Sequence, residues 1–247
     1  MRIRIVSVCW NERDMLPFYL RHYEQYADEI IIYDDASDDG SRTIACCCPI
    51  VKLSDWPFPS GLHDDNMMSL WQTAIQEAHR DGVDWVAFPD IDEILWHQEG
   101  LRRACEQASI RGDEVIASEG WNMIGDGLPK DDGKSQIYQL LQSGVLAPVY
   151  SKPIIVRASA KVNWNRGRHA LENCSPRMSK RPMVKLLHYR YLGYEYTARR
   201  NARNYDRVGA DKGCAWSNAP DYRGEHSAQW AEAMKAHVLS ATGPIGF

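Results

Sequence analysis

Acidic side chains gather at two places in the sequence, each directly after a short apolar run. Asp34-Asp35 follows the apolar residues 30–33, and Asp90-Ile91-Asp92 follows the apolar residues 85–88. Carboxylates held this close repel one another, and a hard divalent cation with oxygen ligands relieves that repulsion. Such a cation also neutralises a diphosphate leaving group. The pattern therefore predicts a cation at Asp90 and Asp92, with ordinary turn and cap carboxylates as the structural alternative.

The spacing within each pair indicates how the side chains point. Alternate residues of an extended chain share a face, so we expect Asp90 and Asp92 to point the same way, with Ile91 turned into the core. Asp34 and Asp35 have a different expected role, because a carboxylate at a strand end accepts hydrogen bonds from ribose hydroxyls or a base N–H. A solvated acidic turn is the alternative for that second pair.

The elements that must position these acids alternate between apolar strands and amphipathic helices. This repeat predicts right-handed crossovers and an α/β fold whose central sheet is mostly parallel and flanked by helices. Ligands of such sheets bind at the carboxyl ends of the strands. The predicted strands are 2–9, 29–34, 49–54, 84–89, 115–118, 149–157 and 183–188; the predicted helices begin near 14 and cover 41–46, 64–80, 98–109 and 194–208, with a loop at 55–63.

Length and composition predict one soluble domain over residues 1–247. Hydrophobic residues make up 44% and charged residues 25% of the 247 residues, which is ordinary for a globular protein. No apolar run approaches the roughly 20 residues that span a bilayer, and the first residues are typical of a strand rather than a signal peptide. The seven cysteines include Cys46-Cys47-Cys48 and no CxxC pair, which predicts reduced thiols. We therefore expect a cytoplasmic protein, with contact to the inner membrane face left open.

Charge is distributed unevenly along the chain. Residues 150–210 hold 14 Lys and Arg against 3 Asp and Glu, a net of +11, whereas the rest holds 15 against 30, a net of -15, giving the overall -4. A basic segment of this kind indicates an anionic partner: a diphosphate, an acidic acceptor, a phospholipid surface or nucleic acid. We expect no nucleic acid, because the remainder is acidic and no binding motif is visible.

Three stretches together resemble glycosyltransferase family 2. They are Val6-Ser7-Val8-Cys9-Trp10-Asn11-Glu12, the run from Ile31 through Asp34-Asp35-Ala36-Ser37-Asp38-Asp39-Gly40-Ser41, and the strand with its DxD at 85–92. The resemblance covers about the first 95 residues. It implies the GT-A fold, a nucleotide-diphosphate sugar (most commonly a UDP-sugar) and Mn²⁺ or Mg²⁺. It also implies inverting transfer to a saccharide or lipid-linked acceptor, with residues 1–95 as the nucleotide-sugar half and 96–247 as the acceptor half and basic C-terminal helical extension.

Later motifs resemble a bacterial subgroup of the same family: Asp90-Ile91-Asp92-Glu93, Gly120-Trp121-Asn122-Met123, Tyr150-Ser151-Lys152-Pro153, Gly167-Arg168-His169 and Leu187-His188-Tyr189. An imidazole ligand would suit Mn²⁺ better than Mg²⁺, and a buried histidine bonded to backbone is the alternative for His188. By the resemblance, the nucleotide-sugar-binding residues are Asn11, Glu12, Asp34, Asp35, Asp90 and Arg168, and the metal ligands are Asp90, Asp92 and His188.

Inversion by single displacement needs a base that deprotonates the acceptor hydroxyl. The Glu-Asp motif that many family members use for this step is missing, which leaves Glu119, Asp126, His169 and Glu172 as candidates, of which we favour His169 and Glu172.

Three other functions stay open. A nucleotidyltransferase would normally carry a glycine-rich basic loop after the first strand, whereas residues 9–13 hold one Glu, one Arg and no glycine. The others are a nucleic-acid-binding protein that uses residues 150–210 and an inactive transferase-like scaffold.

Overall fold

The computed structural model describes residues 1–57, 64–179 and 183–208, together with positions 229, 232 and 233. Strands and helices alternate through the first half of the chain, as the sequence predicts. The strands are β1 (Ile3–Cys9), β2 (Glu29–Asp34), β3 (Val51–Asp55), β4 (Trp85–Ala87), β5 (Glu93–Trp96), β6 (Val115–Met123), β7 (Gly144–Leu146), β8 (Pro153–Arg157) and β9 (Val184–His188). The helices are α1 (Leu16–Tyr23), α2 (Ser41–Cys47), α3 (Asp64–Arg80), α4 (Leu101–Arg111), α5 (Ile137–Leu140) and α6 (Tyr194–Val208).

The central sheet has the strand order β3-β2-β1-β4-β8-β6-β9-β5, with β7 paired to β6. Its first four strands are parallel, and β1 and β2 are buried almost throughout because both faces are covered. Cys9 lies opposite Asp34, so the carboxyl ends of β1 and β2 are level. The predicted α/β fold with helices flanking a central, mostly parallel sheet is confirmed.

The second half of the sheet mixes directions and brings the later motifs beside the acidic turn. Strand β8 pairs antiparallel with β4, while β6 and β9 are parallel with Asn122 opposite His188. Strand β5 starts directly after Asp92 and pairs antiparallel with β9, so that Glu93 lies opposite His188. The order of strands therefore places His188 next to the acidic turn.

Several predicted boundaries differ from the structure. Strand β6 runs to Met123 rather than ending at 118, and the predicted strand 149–157 divides into a 3₁₀ turn at Pro148–Tyr150 and β8. Strands β5 and β7 have four and three residues and were not predicted, because runs this short have no clear period. The predicted loop 55–63 lies outside the described residues from position 58 onward.

Two further features concern the whole described part of the chain. The helices it contains are too short or too polar to traverse a lipid bilayer. Its six cysteines are free thiols, and Cys214 lies outside the described residues.

Candidate active site

The strand-end acids lie along one rim of the sheet. Asp34 ends β2, Glu12 follows β1, and Asp90 and Asp92 follow β4, which pairs with the opposite side of β1. The loop after β1 is fixed against the start of α2, because the Glu12 backbone N–H donates to Ser41 Oγ at 2.9 Å. The rim therefore joins the two acidic stretches that the sequence separates by about 50 residues.

Asn11 connects the loops that follow β1 and β2. Its backbone is left-handed, with φ 53°, a conformation that asparagine tolerates better than most residues. Its Nδ2 donates to Asp38 Oδ1 at 2.9 Å, and the Asp38 backbone N–H donates back to Asn11 Oδ1 at 2.9 Å. These bonds occupy its amide in the described structure, and the predicted contact with a nucleotide stays a prediction.

Asp34 has one satisfied and one unsatisfied oxygen. Its Oδ2 accepts from the Ser37 backbone N–H at 3.0 Å and from Arg42 Nη1 at 2.8 Å. Its Oδ1 is buried and has no hydrogen-bond partner among the described residues. An unpaired buried acceptor costs about 1–3 kcal/mol, so a ligand N–H or O–H that reached this atom would be stabilised. Beside it, the Asp35 backbone N–H donates to Cys9 O at 2.9 Å.

Asp90 and Asp92 lie in a turn, and the expected extended geometry is wrong. The Glu93 backbone N–H donates to Asp90 O at 2.9 Å, which closes a turn through Ile91 and Asp92. Ile91 is buried as expected. Because a turn does not alternate faces as a strand does, the two carboxylates meet different partners.

Asp90 is held by cations that lie inside the protein. Arg168 Nη2 is 2.7 Å from Asp90 Oδ1, and Lys152 Nζ is 3.5 Å from Asp90 Oδ2 and 2.5 Å from Glu93 Oε1. We call Asp90, Glu93, Lys152 and Arg168 the Asp90 cluster. Its other three members are buried, whereas the Asp90 side chain is 42% exposed. Burial alone would raise the pKa of Asp90, but Arg168 and Lys152 outweigh it and hold that pKa below its usual value.

Asp92 is buried beneath helix α6. Arg200 Nη2 is 3.0 Å from Asp92 Oδ2 and 2.6 Å from Glu12 Oε1, and His188 Nε2 is 3.6 Å from Asp92 Oδ2. We call Glu12, Asp92, His188 and Arg200 the Asp92 cluster. His188 Nδ1 is 2.9 Å from Asn122 Oδ1, which can accept a hydrogen bond from Nδ1–H, and Nε2 faces Asp92.

Positive charge converges on the Asp92 cluster. Arg203 Nη2 lies 3.7 Å from Glu12 Oε1, and Arg190 adds a further positive field at both carboxylates. The two carboxylates and the three arginines 190, 200 and 203 sum to +1. Burial would raise the pKa of Asp92, but Arg200 and His188 hold it well below its usual value. Burial, with the Asp92 charge adding, raises the pKa of Glu12 to about 7 against the opposing effect of Arg200.

A cleft opens between the loop after β1 and helix α6. It is lined by Asn11, Glu12 and Arg13 on one side and by Arg199, Arg200 and Arg203 on the other. The cleft thus leads from solvent to the Asp92 cluster.

The ligands at Asp92 fit a divalent cation. A carboxylate oxygen and an imidazole nitrogen that face each other form a donor pair that suits Mn²⁺. Within the described residues, no three His, Cys, Asp or Glu side chains converge on one point, so the protein itself would supply these two ligands. The oxygens of Asp90 pair with Arg168 and Lys152, and its predicted contacts with metal and nucleotide stay predictions.

The candidates for the catalytic base lie in different places. His169 is exposed and its ring is 6.3 Å from that of Tyr150, which in turn lies 4.2 Å from the His188 ring. Burial of part of the ring and the Lys152 charge lower the pKa of His169, so the neutral form that a base needs prevails at neutral pH. Glu172 is exposed, and its backbone N–H donates to Asn163 O at 2.9 Å.

Glu119 is not brought into the site. On β6 its side chain lies on the opposite face from that of Asn122, which contacts His188. Its Oε2 accepts a hydrogen bond from Trp121 Nε1 at 2.9 Å. Asp126 lies in the loop after β6 next to Gly193, whose missing Cβ would lie 2.8 Å from Asp126 O.

Sequence reasoning missed the role of two cations. The sequence predicts only that segment 150–210 is basic, yet Arg200 is buried between two carboxylates. Lys152 forms a buried ion pair with Glu93. Basic residues of segment 150–210 thus neutralise carboxylates inside the protein.

No family model matches the chain, and neither does any curated protein. Solved structures similar to it include a 4-diphosphocytidyl-2C-methyl-D-erythritol synthase, with 13% identity, a TM-score of 0.38 and coverage of 64% of this chain and 76% of the other.

Glucosyl-3-phosphoglycerate synthase from Mycobacterium tuberculosis, in complex with Mn²⁺, uridine diphosphate and phosphoglyceric acid, has 16% identity and a TM-score of 0.35 over 49% of this chain. A cytidylyltransferase from Leptospira borgpetersenii has 14% identity and a TM-score of 0.32, also over 49%. The matches span 43% and 52% of those two proteins. At these TM-scores the likeness carries no argument about activity.

Proposed function

We propose that the protein is a metal-dependent glycosyltransferase that moves a sugar from a nucleotide diphosphate to a saccharide or lipid-linked acceptor. One observation carries this proposal. Asp92 Oδ2 and His188 Nε2 face each other at 3.6 Å beneath Arg200, which lines the cleft together with Glu12 and Arg203. The carboxylate and imidazole suit a divalent cation, and the arginines above them suit the diphosphate that such a cation would accompany.

The roles of the donor-binding residues follow from their contacts. Asp92 and His188 would hold the cation, which supplies positive charge to the leaving diphosphate. Asp90, half exposed on the same rim, would accept from ribose hydroxyls. The unsatisfied Oδ1 of Asp34 would accept from the base or ribose, with Glu12 and Asn11 shaping the pocket wall.

The acceptor side would use the aromatic group beside His188. The hydroxyls of Tyr150 and Tyr191 are hydrogen-bonded to each other at 3.0 Å, and both rings lie near His188. Aromatic rings of this kind stack against sugar faces. His169, next to Tyr150, would take the proton of the acceptor hydroxyl as that oxygen attacks the anomeric carbon, and the arginines would stabilise the departing diphosphate.

Calorimetric titration of UDP, GDP and CDP, each with and without Mn²⁺, tests the donor site. At least one nucleotide should bind with Mn²⁺ and much more weakly without it. Asp92→Asn should abolish the metal-dependent part, and Asp34→Ala should weaken binding but leave its metal dependence. Asp65→Asn, an exposed acid that pairs with Arg166, is the matched control and should behave like the wild type. The proposal fails if the wild type binds none of these nucleotides under either condition.

Products separate this activity from nucleotidyl transfer. A glycosyltransferase releases a nucleoside diphosphate from a nucleotide-sugar, whereas a nucleotidyltransferase releases pyrophosphate from a nucleoside triphosphate and a sugar phosphate. Pyrophosphate release without diphosphate release would assign the site to the second class.

A further inference from the structure

One carboxylate oxygen, Asp92 Oδ2, faces both Arg200 and His188. A metal bound to this oxygen would compete with Arg200 for it. Arg200 Nη2 lies 3.0 Å from this oxygen and His188 Nε2 lies 3.6 Å from it. A divalent cation bound between Asp92 and His188 would take its bond from this same oxygen. At metal–oxygen distances of about 2 Å, the cation would stand almost against the Arg200 guanidinium. Like charges this close repel strongly at a buried site.

Arg200 is held in place by charge and is not fully satisfied. The residue is 7% exposed, and its guanidinium reaches Glu12, Asp92 and the Tyr196 hydroxyl, the last at 3.0 Å. Its Nε is buried without a hydrogen-bond partner among the described residues. A buried guanidinium with an unused N–H can therefore donate to a further anionic partner.

We propose that Arg200 is an exchangeable internal cation: it neutralises Asp92 and Glu12 in the ligand-free protein, and a divalent cation that binds Asp92 and His188 displaces it toward the donor's diphosphate. This inference rests on the proposed function for the identity of the diphosphate. The displacement of Arg200 by a cation stands on the shared oxygen alone.

The position of Arg200 on α6 makes the exchange local. The guanidinium ends a long flexible side chain and Glu12 remains as its second partner, so it can leave Asp92 without leaving the cleft. Arg203 and Arg190 already stand beside it, and the three guanidiniums together offer the forked donors that phosphate oxygens accept. Arg200 therefore opposes the metal when the site is empty and supports the diphosphate when it is filled.

Arg200→Gln separates these two effects because they have opposite signs. Mn²⁺ is titrated into metal-free protein without nucleotide, and the free ion is measured by electron paramagnetic resonance. Mn²⁺ should bind about 10-fold more tightly to the variant than to the wild type. With saturating Mn²⁺, UDP measured by calorimetry should bind about 10-fold more weakly. A residue that only supports the fold would weaken both.

Arg103→Gln is the matched control, because it removes the same charge from a helix that does not line the cleft. Arg103 is exposed on α4, where it pairs with Glu99 and Glu106. Its Mn²⁺ affinity should change less than 2-fold. Arg200→Lys provides a second test if Arg200→Gln does not fold. A single ammonium reaches only one of the two carboxylates well, so Mn²⁺ should bind a few-fold more tightly to it.

The outcomes distinguish this inference from the proposed function. If Mn²⁺ affinity in the Arg200 variants is unchanged or weaker, the exchange is wrong, even where the wild type binds UDP with Mn²⁺. If Mn²⁺ binds more tightly to them but no nucleotide binds the wild type, the exchange holds and the proposed function is wrong. Tighter Mn²⁺ together with weaker UDP supports both.

Discussion

Asp90 and Asp92 stand two residues apart in one turn, yet their surroundings differ in where the positive charge comes from. The Asp90 side chain is 42% exposed and its cations, Lys152 and Arg168, lie below it in the protein interior. The Asp92 side chain is 6% exposed and its cation, Arg200, lies above it on helix α6. One carboxylate is partly open to solvent, and the other is covered.

The difference shows how one acidic motif can serve two purposes. Lys152 precedes β8 and Arg168 donates at 2.5 Å to the Phe88 carbonyl, so the cations of Asp90 are tied to the sheet and its neighbouring turn. Arg200 is held through its side chain by the acids it covers and by the Tyr196 hydroxyl on the same helix. We infer that the Asp90 cluster is a fixed support, whereas the Asp92 cluster is built to change partners.

The largest expected effect is the loss of stability in Lys152→Met. This change leaves Glu93, which is 1% exposed, without its cation, and an uncompensated buried charge costs about 3–5 kcal/mol. Arg200→Gln should cost less, about 1–2 kcal/mol, because Asp92 keeps the positive field of Arg190, while Glu12 takes up a proton near neutral pH and keeps Arg203 beside it. Urea unfolding of both variants measures the two values. Equal losses would remove the distinction between a fixed and an exchangeable cluster.

The next effect concerns the group that orients His188. Asn122→Leu removes the acceptor of the Nδ1–H bond, which leaves the ring free to turn or change tautomer. Mn²⁺ affinity should fall about 10–100-fold, the usual loss when an outer partner of a metal ligand is removed. Asn122→Asp keeps an acceptor at this position and should retain the Mn²⁺ binding that Asn122→Leu loses. Wild-type affinity in Asn122→Leu would show that His188 does not hold the metal.

The rim could be predicted from the sequence, but the partners of its acids could not. The apolar runs 30–33 and 85–88 mark two parallel strands, and the carboxyl ends of parallel strands meet on one edge. The turn at 91–92 was misjudged because β5 resumes immediately after it, so that no loop composition signals the change of direction.

The burial of Arg200 had no signal in the sequence. Arg199, Arg200 and Arg203 look alike on a helix that is basic throughout, and only the tertiary fold decides which one faces Glu12 and Asp92. Lys152 likewise contacts Glu93 from 59 residues away. Pairing across such distances depends on the packing of whole elements, which local period and propensity do not encode.

Two single carboxyls, Glu12 of the Asp92 cluster and Asp90, should respond to pH in opposite directions. The pKa of Glu12 is raised to about 7 in the folded protein, so its contribution is present below about pH 4.5 and is lost as pH rises toward 7. The pKa of Asp90 is lowered, so its contribution is present above about pH 4 and is lost as pH falls. Relative to Glu12→Gln, the metal-free wild type should lose on the order of 1–2 kcal/mol between pH 5 and pH 7.5. Unfolding at both pH values checks this, and a constant difference between the two proteins contradicts it.

The smallest expected effect, Asp90→Asn, divides nucleotide binding between the two carboxylates. The Asp90 carboxylate is partly exposed and pairs with Lys152 and Arg168, so its loss should leave Mn²⁺ affinity without nucleotide within about 2-fold of the wild type. UDP affinity at saturating Mn²⁺ should fall about 10-fold, because a neutral amide accepts a weaker hydrogen bond from a ribose hydroxyl than a carboxylate does. Asp92→Asn is the paired comparison and should lose Mn²⁺ itself. The two variants differ only in which residue of the turn carries the amide. Parallel calorimetric titrations with Mn²⁺ and UDP show which carboxylate serves the metal and which serves the nucleotide. If Asp90→Asn loses Mn²⁺ as Asp92→Asn does, both carboxylates serve the cation and the open face of Asp90 has no separate role.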